Sequence, residues 1–204
     1  MFEQGFQHSR VNLPIDAFSS GQVGSKIWLC EKLETVLEAE VAPGFRHTIW
    51  IYGGWQGVLG YTLLCRPAFK NANVRSFDAD AASTESANIL CENWVWRDWQ
   101  FRAFTSDCNK LAPDLNREFG DPPTIILNTS VEHFESNEWF QKIPEGTLVV
   151  LQASDFDHDG AVALFSDEQK FSDAFPLRKK FFVGKMQFKY ETWSFNRLML
   201  IGVR

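Results

Sequence analysis

HTIWIYGGWQGVLGYTLL, from His47 to Leu64, joins two patterns of different period. Residues 48–52 form a short apolar run of β-forming residues, and residues 56–64 repeat apolar residues at helical spacing. Glycines separate the two parts. A strand that turns on glycines into a helix directs free backbone N–H groups at the space above the sheet edge. The segment therefore predicts a strand, a tight turn and a helix, and the turn suits a nucleotide-like ligand.

The glycine spacing by itself leaves two interpretations open. Gly53, Gly57 and Gly60 follow a dinucleotide-binding loop only loosely, because Trp55 stands where a second glycine is expected. A plain strand-to-helix turn needs glycines for its backbone angles as much as a ligand-binding turn does. The order of the strands that follow is needed to choose between them.

Composition restricts the class of protein. The chain has 204 residues, of which 45% are hydrophobic and 23% charged, and these values favour one compact domain. A net charge of −6 gives no overall attraction to phosphate backbones, so a small-molecule partner is favoured over nucleic acid. The oligomeric state is not indicated by the sequence.

The expected location is the cytoplasm. No apolar run approaches the roughly 18 residues of a membrane span, and the N-terminus lacks the pattern of a signal peptide. The sequence therefore predicts a soluble protein with no membrane partner. The four cysteines lack C-x-x-C spacing and are interpreted as reduced thiols.

Apolar strands alternate with helices along most of the chain. Residues 1–24 show no clear periodicity and predict an arm or lid over a single domain at 25–204. A helix is expected from Ser25, a plausible N-cap, to just before Pro43. The remaining predicted strands are residues 74–78, 100–105, 124–127 and 147–151, with helices between them at 81–91, at 109–119 and up to Trp139. This alternation indicates a parallel sheet covered on both faces.

The C-terminal part of the sequence departs from that rhythm. Residues 185–190 alternate strictly between polar and apolar side chains, whereas residues 198–203 are almost wholly apolar. The short connection at 191–195 cannot hold a crossover helix, so the two strands must form an antiparallel hairpin with the second strand inside the sheet. This arrangement is not the usual one of a dinucleotide-dependent dehydrogenase.

Five segments in this order resemble the class I S-adenosylmethionine-dependent methyltransferases, over nearly all of residues 25–204. They are IWIYGGWQG at 49–57, VRSFDAD at 74–80, FTSDC at 104–108, IILNTS at 125–130 and NRLMLIGVR at 196–204. The resemblance implies a three-layer α/β Rossmann-like fold, with a mostly parallel seven-stranded sheet closed by an antiparallel C-terminal hairpin. One departure is Ile51, which stands where family members usually carry an acid.

The resemblance also implies the site of S-adenosylmethionine (SAM), with S-adenosylhomocysteine (SAH) as the product. Asp78 would accept both ribose hydroxyls, and its competitor Asp80 is also a plausible helix N-cap. Asp107 would accept from the adenine amine, although it too could be a cap. The full set of expected cofactor-binding residues is Gly53, Gly54, Trp55, Gly57, Asp78, Ala79, Asp107 and Asn128.

The acceptor is expected beside the loop after the fourth strand. Methyl transfer needs a base only if the nucleophile carries a proton. Glu132 and His133 are the expected catalytic residues, with His133 as the base, because imidazole titrates near neutral pH. A surface or packing role for this histidine explains its presence equally well.

No metal site is predicted. Asp155, Asp157, His158 and Asp159 resemble a hard-metal loop. The calcium-loop continuation is missing, however, because no Glu occupies the twelfth position counted from Asp155. The fourth strand also ends in Asn128, where magnesium-dependent members would place an acid. A substrate loop is therefore the preferred interpretation of this cluster.

The favoured function is SAM-dependent methyl transfer to an unidentified, small-molecule acceptor. Ile51 and Trp55 in the first loop keep open a non-catalytic SAM-binding or interaction domain. An NAD-dependent oxidoreductase is disfavoured by the closing hairpin.

Overall fold

A computed structural model describes residues 13–42, 44–95, 99–156 and 160–204. Its strands are β1 Thr48–Tyr52, β2 Asn73–Asp78, β3 Phe101–Thr105, β4 Ile125–Asn128, β5 Leu148–Ser154, β6 Lys179–Lys189 and β7 Ser194–Val203. Its helices are α1 Ser20–Glu40, α2 Val58–Leu64, α3 Ala81–Leu90, α4 Glu92–Val95, α5 Glu138–Gln141 and α6 Glu168–Ala174.

The seven strands form one sheet in the order β3-β2-β1-β4-β5-β7-β6. The first five strands in this order are parallel, and β7 is antiparallel to both β5 and β6. The predicted fold class is therefore confirmed, including the hairpin whose second strand lies inside the sheet. Tyr52 is in register with Phe77 and with Asn128, so the carboxyl ends of the central strands meet at one edge.

The continuous apolar run in β1 follows from burial on both faces of the sheet. Ile49 and Ile51 pack in a cluster with residues of α1, α2 and α3. Trp50 and Tyr52 point to the other face and pack with Trp139 of α5. All five residues of β1 are buried. Strand β1 is thus the centre of both cores, and the turn that follows it is held on a rigid support.

Helix α1 begins five residues before the predicted start at Ser25. Ser19 is its N-cap, and the Ser19 hydroxyl accepts a hydrogen bond from the N–H of Gln22 at 3.3 Å. Residues 20–24, assigned to the arm by the sequence, are therefore helical. A short 3-10 helix, Ile15–Phe18, precedes them. Residues 1–12 lie outside the described part of the chain.

The helix predicted at 109–119 is wrong. The segment contains only two 3-10 turns, Cys108–Lys110 and Arg117–Phe119. Pro113 stands between them and disfavours the helical conformation of the residue before it. The side chain of Asn116 accepts a hydrogen bond from the N–H of Ala112 at 2.7 Å, so local polar contacts replace helical ones.

Two further observations concern the whole described chain. In the four described ranges, no helix combines the length and the apolar composition that a bilayer crossing requires. All four cysteines are free, and Cys65 alone among them is exposed.

Candidate functional site

A cavity of about 540 Å³ lies at the carboxyl ends of the central strands. Its wall combines the turn after β1, the end of β2, the segments after β3 and β4, the start of α1 and one residue of β7. The lining residues are Asp16, Gln22, Lys26, Gly53, Gly54, Trp55, Gln56, Val58, Leu59, Asp78, Ala79, Asp107, Cys108, Asn109, Thr129, Ser130, Glu132, His133, Phe134 and Arg197. Open α/β sheets bind ligands at this edge.

The turn after β1 has a left-handed backbone at three positions. Gly53 has φ +62°, Trp55 has φ +46° and Gly57 has φ +80°. Positive φ is uncommon for a residue with a side chain, so Trp55 needs support from its surroundings. The N–H of Trp55 donates to the Asp78 carboxylate at 2.8 Å, and the N–H of Gly54 donates to the carbonyl of Phe77 at 3.0 Å. The end of β2 therefore holds the turn in place.

Asp78 and Asp80 occupy different environments. Asp78 lines the cavity, and its second oxygen accepts from the N–H of Asp80 at 3.0 Å. Asp80 is the N-cap of α3 and accepts from the N–H of Ser83 at 3.0 Å and from the hydroxyl of Ser83 at 2.6 Å. The hydroxyl of Ser83 and the backbone N–H groups of the cap lower the pKa of Asp80. Of the two candidates, Asp78 alone faces the ligand space, and Asp80 has a structural task.

Asp107 is a cap, one of the two roles that the sequence left open, and it also lines the cavity. It caps the 3-10 turn after β3, because its carboxylate accepts from the N–H of Asn109 at 3.0 Å. That hydrogen bond lowers the pKa of Asp107. The carboxylate is therefore oriented by its own turn while part of it faces the cavity.

Two expected cofactor-binding residues lie outside the cavity wall. Gly57 packs against α3, where an added Cβ would come within 2.7 Å of the Cβ of Ala87. Asn128 is fully buried, and its side-chain oxygen accepts from the N–H of Ser130 at 2.9 Å. Their placement gives Gly57 a packing task and Asn128 a task in shaping the turn after β4. The other six, Gly53, Gly54, Trp55, Asp78, Ala79 and Asp107, all line the cavity.

Glu132 and His133 both line the cavity, with different partners. A carboxylate oxygen of Glu132 accepts from Nη1 of Arg197 at 2.8 Å, in a buried ion pair. The Nδ1 atom of His133 lies 2.8 Å from the carbonyl oxygen of Gly160. A carbonyl only accepts, so Nδ1 carries the proton and the basic lone pair of the neutral ring belongs to Nε2. This tautomer suits a base, whereas the ion pair of Glu132 suits a positioning role.

Sequence reasoning missed Lys26 and Arg197, which complete the wall. Lys26 of α1 is 7% exposed and Arg197 of β7 is 8% exposed. Burial, reinforced by the charge of Arg197, lowers the pKa of Lys26 to about 7. In the sequence each of these basic residues stands directly before an apolar run, residues 27–30 and residues 198–203, and nothing else there indicates a site.

The cluster considered as a metal loop is only partly described. Asp155 bonds both the N–H and the side-chain amide of Asn196, each at 2.7 Å, and so joins β5 to β7. Asp157, His158 and Asp159 lie outside the described residues. Among the residues that the structure does describe, no three His, Cys, Asp or Glu side chains form a group that could hold a metal ion.

Several solved structures with a similar architecture are methyltransferases. Magnesium protoporphyrin IX methyltransferase from Synechocystis PCC 6803 with bound SAM matches 96% of this chain and 88% of its own, with TM-score 0.58 and 10% identity. The N-methyltransferase NodS from Bradyrhizobium japonicum WM9 in complex with SAH matches 96% and 94%, with TM-score 0.62 and 10% identity. The chain has the class I methyltransferase fold.

A third methyltransferase structure agrees with this assignment of the fold. Geranyl diphosphate C-methyltransferase from Streptomyces coelicolor A3(2) matches 90% of this chain and 76% of its own, with TM-score 0.62 and 12% identity. No protein-family model and no curated protein sequence matches the chain. At sequence identities of 10% to 12%, the likeness to these three structures shows the fold alone.

Proposed function

We propose that this protein transfers a methyl group from SAM to a small-molecule acceptor and releases SAH. One observation carries the proposal: the turn after β1 and the carboxylates of Asp78 and Asp107 line one cavity at the sheet edge. Three methyltransferases of the same fold were crystallised with SAM or SAH bound. SAM supplies an activated methyl group when bound, so the protein has mainly to orient the partners and exclude water.

The residues present fit the cofactor. The cavity volume of about 540 Å³ lies within the range of ligand sites, about 300 to 1,000 Å³. An ionised carboxylate offers roughly four acceptor positions. The N–H groups of Trp55 and Asp80 occupy two of those of Asp78, which leaves capacity for two ribose hydroxyls. Ile51, where the family usually has an acid, is buried in the core and is not part of the wall.

A small acceptor fits the remaining wall better than a polymer does. Lys26, Glu132, His133 and Arg197 continue the same cavity away from the carboxylates of β2 and β3. Glu132 and Arg197 form a buried ion pair in this wall, which a bulky polymer would not reach. The net charge of −6 also opposes a nucleic-acid backbone. In this proposal His133, which lines the cavity, acts as the base where the nucleophile of the acceptor carries a proton.

Calorimetric titration with SAH tests the cofactor site. Asp78→Asn is expected to weaken SAH binding about 10- to 100-fold, because a charge-assisted hydrogen bond contributes about 1.5 to 3 kcal/mol. Asp114→Asn is the matched control, because Asp114 is exposed and lies outside the cavity wall. Absence of SAM and SAH binding to the wild type would overturn the proposal. Binding without methyl transfer to any small acceptor would instead support the non-catalytic alternative.

A further inference from the structure

A second cavity, of about 260 Å³, adjoins the first. Asp16, Gln22 and Arg197 line both cavities, so the two spaces meet at these residues. The second cavity lies between the start of α1, the end of β5 and the turn that joins β6 to β7. The full lining is Asp16, Ser19, Gly21, Gln22, Ser154, Phe156, Tyr190, Trp193, Phe195 and Arg197.

Four of the ten residues that line this second cavity are aromatic. The rings of Tyr190 and Trp193 stack with centroids 4.4 Å apart and an interplanar angle of 11°. Trp193 also stacks on Phe195 at 5.7 Å and contacts Phe156 at 4.9 Å. The hydroxyl of Tyr190 accepts from the N–H of Gly21 at 3.1 Å, which joins the stack to α1. The rings are thus held in parallel planes against a helix, and Trp193 remains 43% exposed.

Arg197 stands at the junction of the two cavities, together with the carboxylate of Asp16. The Nη1 atom of Arg197 donates to Glu132 at 2.8 Å. Within the described ranges, the Nε atom of Arg197 has no hydrogen-bond partner, although it is buried. A guanidinium has five N–H donors, so Arg197, although it is only 8% exposed, keeps donor capacity for a ligand that enters the junction. Lys26 lines the first cavity, and its ammonium group donates to Gln22, at 2.7 Å to the side-chain oxygen and 3.3 Å to the carbonyl oxygen.

We propose that the methyl acceptor is an aromatic carboxylic acid, whose ring packs against Trp193 and Phe195 in the second cavity and whose carboxylate is bound by Arg197 and Lys26. This inference rests on the proposed function, because it names the acceptor of the same reaction. The guanidinium fork matches a carboxylate. The placement puts the carboxylate of the acceptor at the junction, next to the space proposed for SAM. A carboxylate oxygen there would form a new O–CH3 bond as the S–CH3 bond of SAM breaks, which gives the methyl ester and SAH. A carboxylate carries no proton, so this acceptor needs no base.

The size of the second cavity sets the size of the ring system. An engineered protein cavity of about 150 Å³ holds benzene. A volume of about 260 Å³ therefore accepts one ring with substituents, or two fused rings. The stacked walls favour a flat ring over a puckered one, because offset stacking adds about 0.5 to 1.5 kcal/mol beyond the burial of apolar area.

Binding of the acid also has to change the charge state of Lys26. Asp16 on the 3-10 turn, Glu132 after β4 and Arg197 on β7 are the charged groups that act on Lys26, and His133 lines the same cavity. An added carboxylate beside Lys26 stabilises its charged form. With the pKa of the free enzyme's Lys26 at about 7, binding of the acid above neutral pH is accompanied by proton uptake.

Titration calorimetry of the full chain, saturated with SAH, tests the inference with three probes. Benzoate has the ring and the charge, benzamide has the ring without the charge, and cyclohexanecarboxylate has the charge without the flat ring. We expect benzoate to bind about ten-fold more tightly than benzamide and about three-fold more tightly than cyclohexanecarboxylate. Repeating the benzoate titration at pH ~8 in buffers of different ionisation enthalpy measures the proton uptake.

Two pairs of variants locate the binding. Trp193→Ala is expected to weaken benzoate binding about five-fold. Trp99→Ala, which removes an exposed tryptophan outside both cavities, should change nothing. Lys26→Met should weaken binding about ten-fold and abolish proton uptake. The exposed Lys70→Met is its control. Because Trp193 is exposed and Lys26 is buried, Trp193→Ala is expected to disturb folding less than Lys26→Met does.

The outcomes separate this inference from the proposed function. SAH binding is measured first for every variant, and a wild type that does not bind SAH overturns the proposed function. A wild type that binds SAH but binds benzoate no better than benzamide overturns the aromatic acid alone. Unchanged benzoate affinity in Trp193→Ala would also overturn it, because the ring would then lie elsewhere.

Discussion

Asp78 and Asp80 are separated by one residue and differ in what their oxygens contact. Asp80 directs both oxygens to the first turn of α3, whereas Asp78 holds the turn after β1 and faces the cavity. The sequence D-A-D at the end of a strand is compatible with either assignment, because the decision depends on which residue begins the helix. The sequence thus predicts that a carboxylate at the end of β2 faces the cavity. Which of the two it is depends on where α3 begins.

Asp80→Ala is expected to lower the melting temperature and to leave SAH affinity unchanged. The reason is that its cap bonds to Ala82 and Ser83 support α3, which packs on β3 and not on the ligand space. Thermal melting followed by SAH titration checks both parts. Asp78→Asn is the comparison, and it is expected to lower SAH affinity more than the melting temperature. A loss of SAH binding in Asp80→Ala would assign the ribose contact to Asp80.

Lys26 makes stability depend on pH in a defined direction. Its pKa is about 7 in the folded chain against an ordinary value of 10.5, so the unfolded chain binds more protons between these values. Stability therefore rises with pH from about 7 upward, with a limit of about 1.4 kcal/mol per pH unit. Chemical unfolding at pH ~7 to 8.5, with Lys26→Met as reference, measures the slope. Equal slopes in the two proteins would contradict the burial of a titrating lysine.

The polar wall of the site was predictable only where it follows from strand ends. Asp78 is the last residue of β2 and Asp107 follows the end of β3 by two residues, so the topology brings them to the same edge of the sheet. Lys26 and Arg197 come from the interior of a helix and of a strand, and no pattern within either element indicates that they meet. Their proximity is a property of the assembled sheet, because β7 lies next to β5 and beneath the start of α1.

At the level of elements, the junction of β1 with α2 packs closely against β2 and α3. A Cβ added at Gly54 would lie 1.9 Å from the hydroxyl oxygen of Ser76, and one added at Gly57 would lie 2.8 Å from the Cα of Ala87. The strand and the turn were predictable from glycines after an apolar run. The helix predicted at residues 109–119 does not form, because Pro113 disfavours it and because the side chain of Asn116 bonds the N–H of Ala112.

Gly57→Ala is expected to destabilise the fold by about 2 to 4 kcal/mol, from strain at positive φ together with overpacking against α3. Gly146→Ala is the matched control, because Gly146 has φ +87° and nothing lies within 4 Å of its added Cβ. The control should cost about 1 to 2 kcal/mol. Urea unfolding of both proteins measures the difference, and equal losses would show that the contact with Ala87 can relax.

For the whole molecule, the closing hairpin was predictable because it follows from few rules. Parallel strands joined by helices, and a connection too short for a crossover, leave the hairpin as the natural solution. The length of β6, which starts at Lys179, was underestimated because its first residues are exposed and partly charged. Helix α6 was not predicted.

The interior position of β7 has a consequence for biosynthesis. One edge of β5, the apolar segment LVVLQAS, is paired with β7 in the finished sheet, from Leu148 with Val203 to Ser154 with Arg197. A ribosome adding 5 to 20 residues per second needs roughly 2 to 10 s to translate residues 155–203. During this interval the nascent chain carries an unpaired apolar strand edge, the feature most prone to intermolecular association. We expect a chain truncated after Trp193 to aggregate on refolding unless a holding chaperone is present. Light scattering with and without the chaperone measures this aggregation.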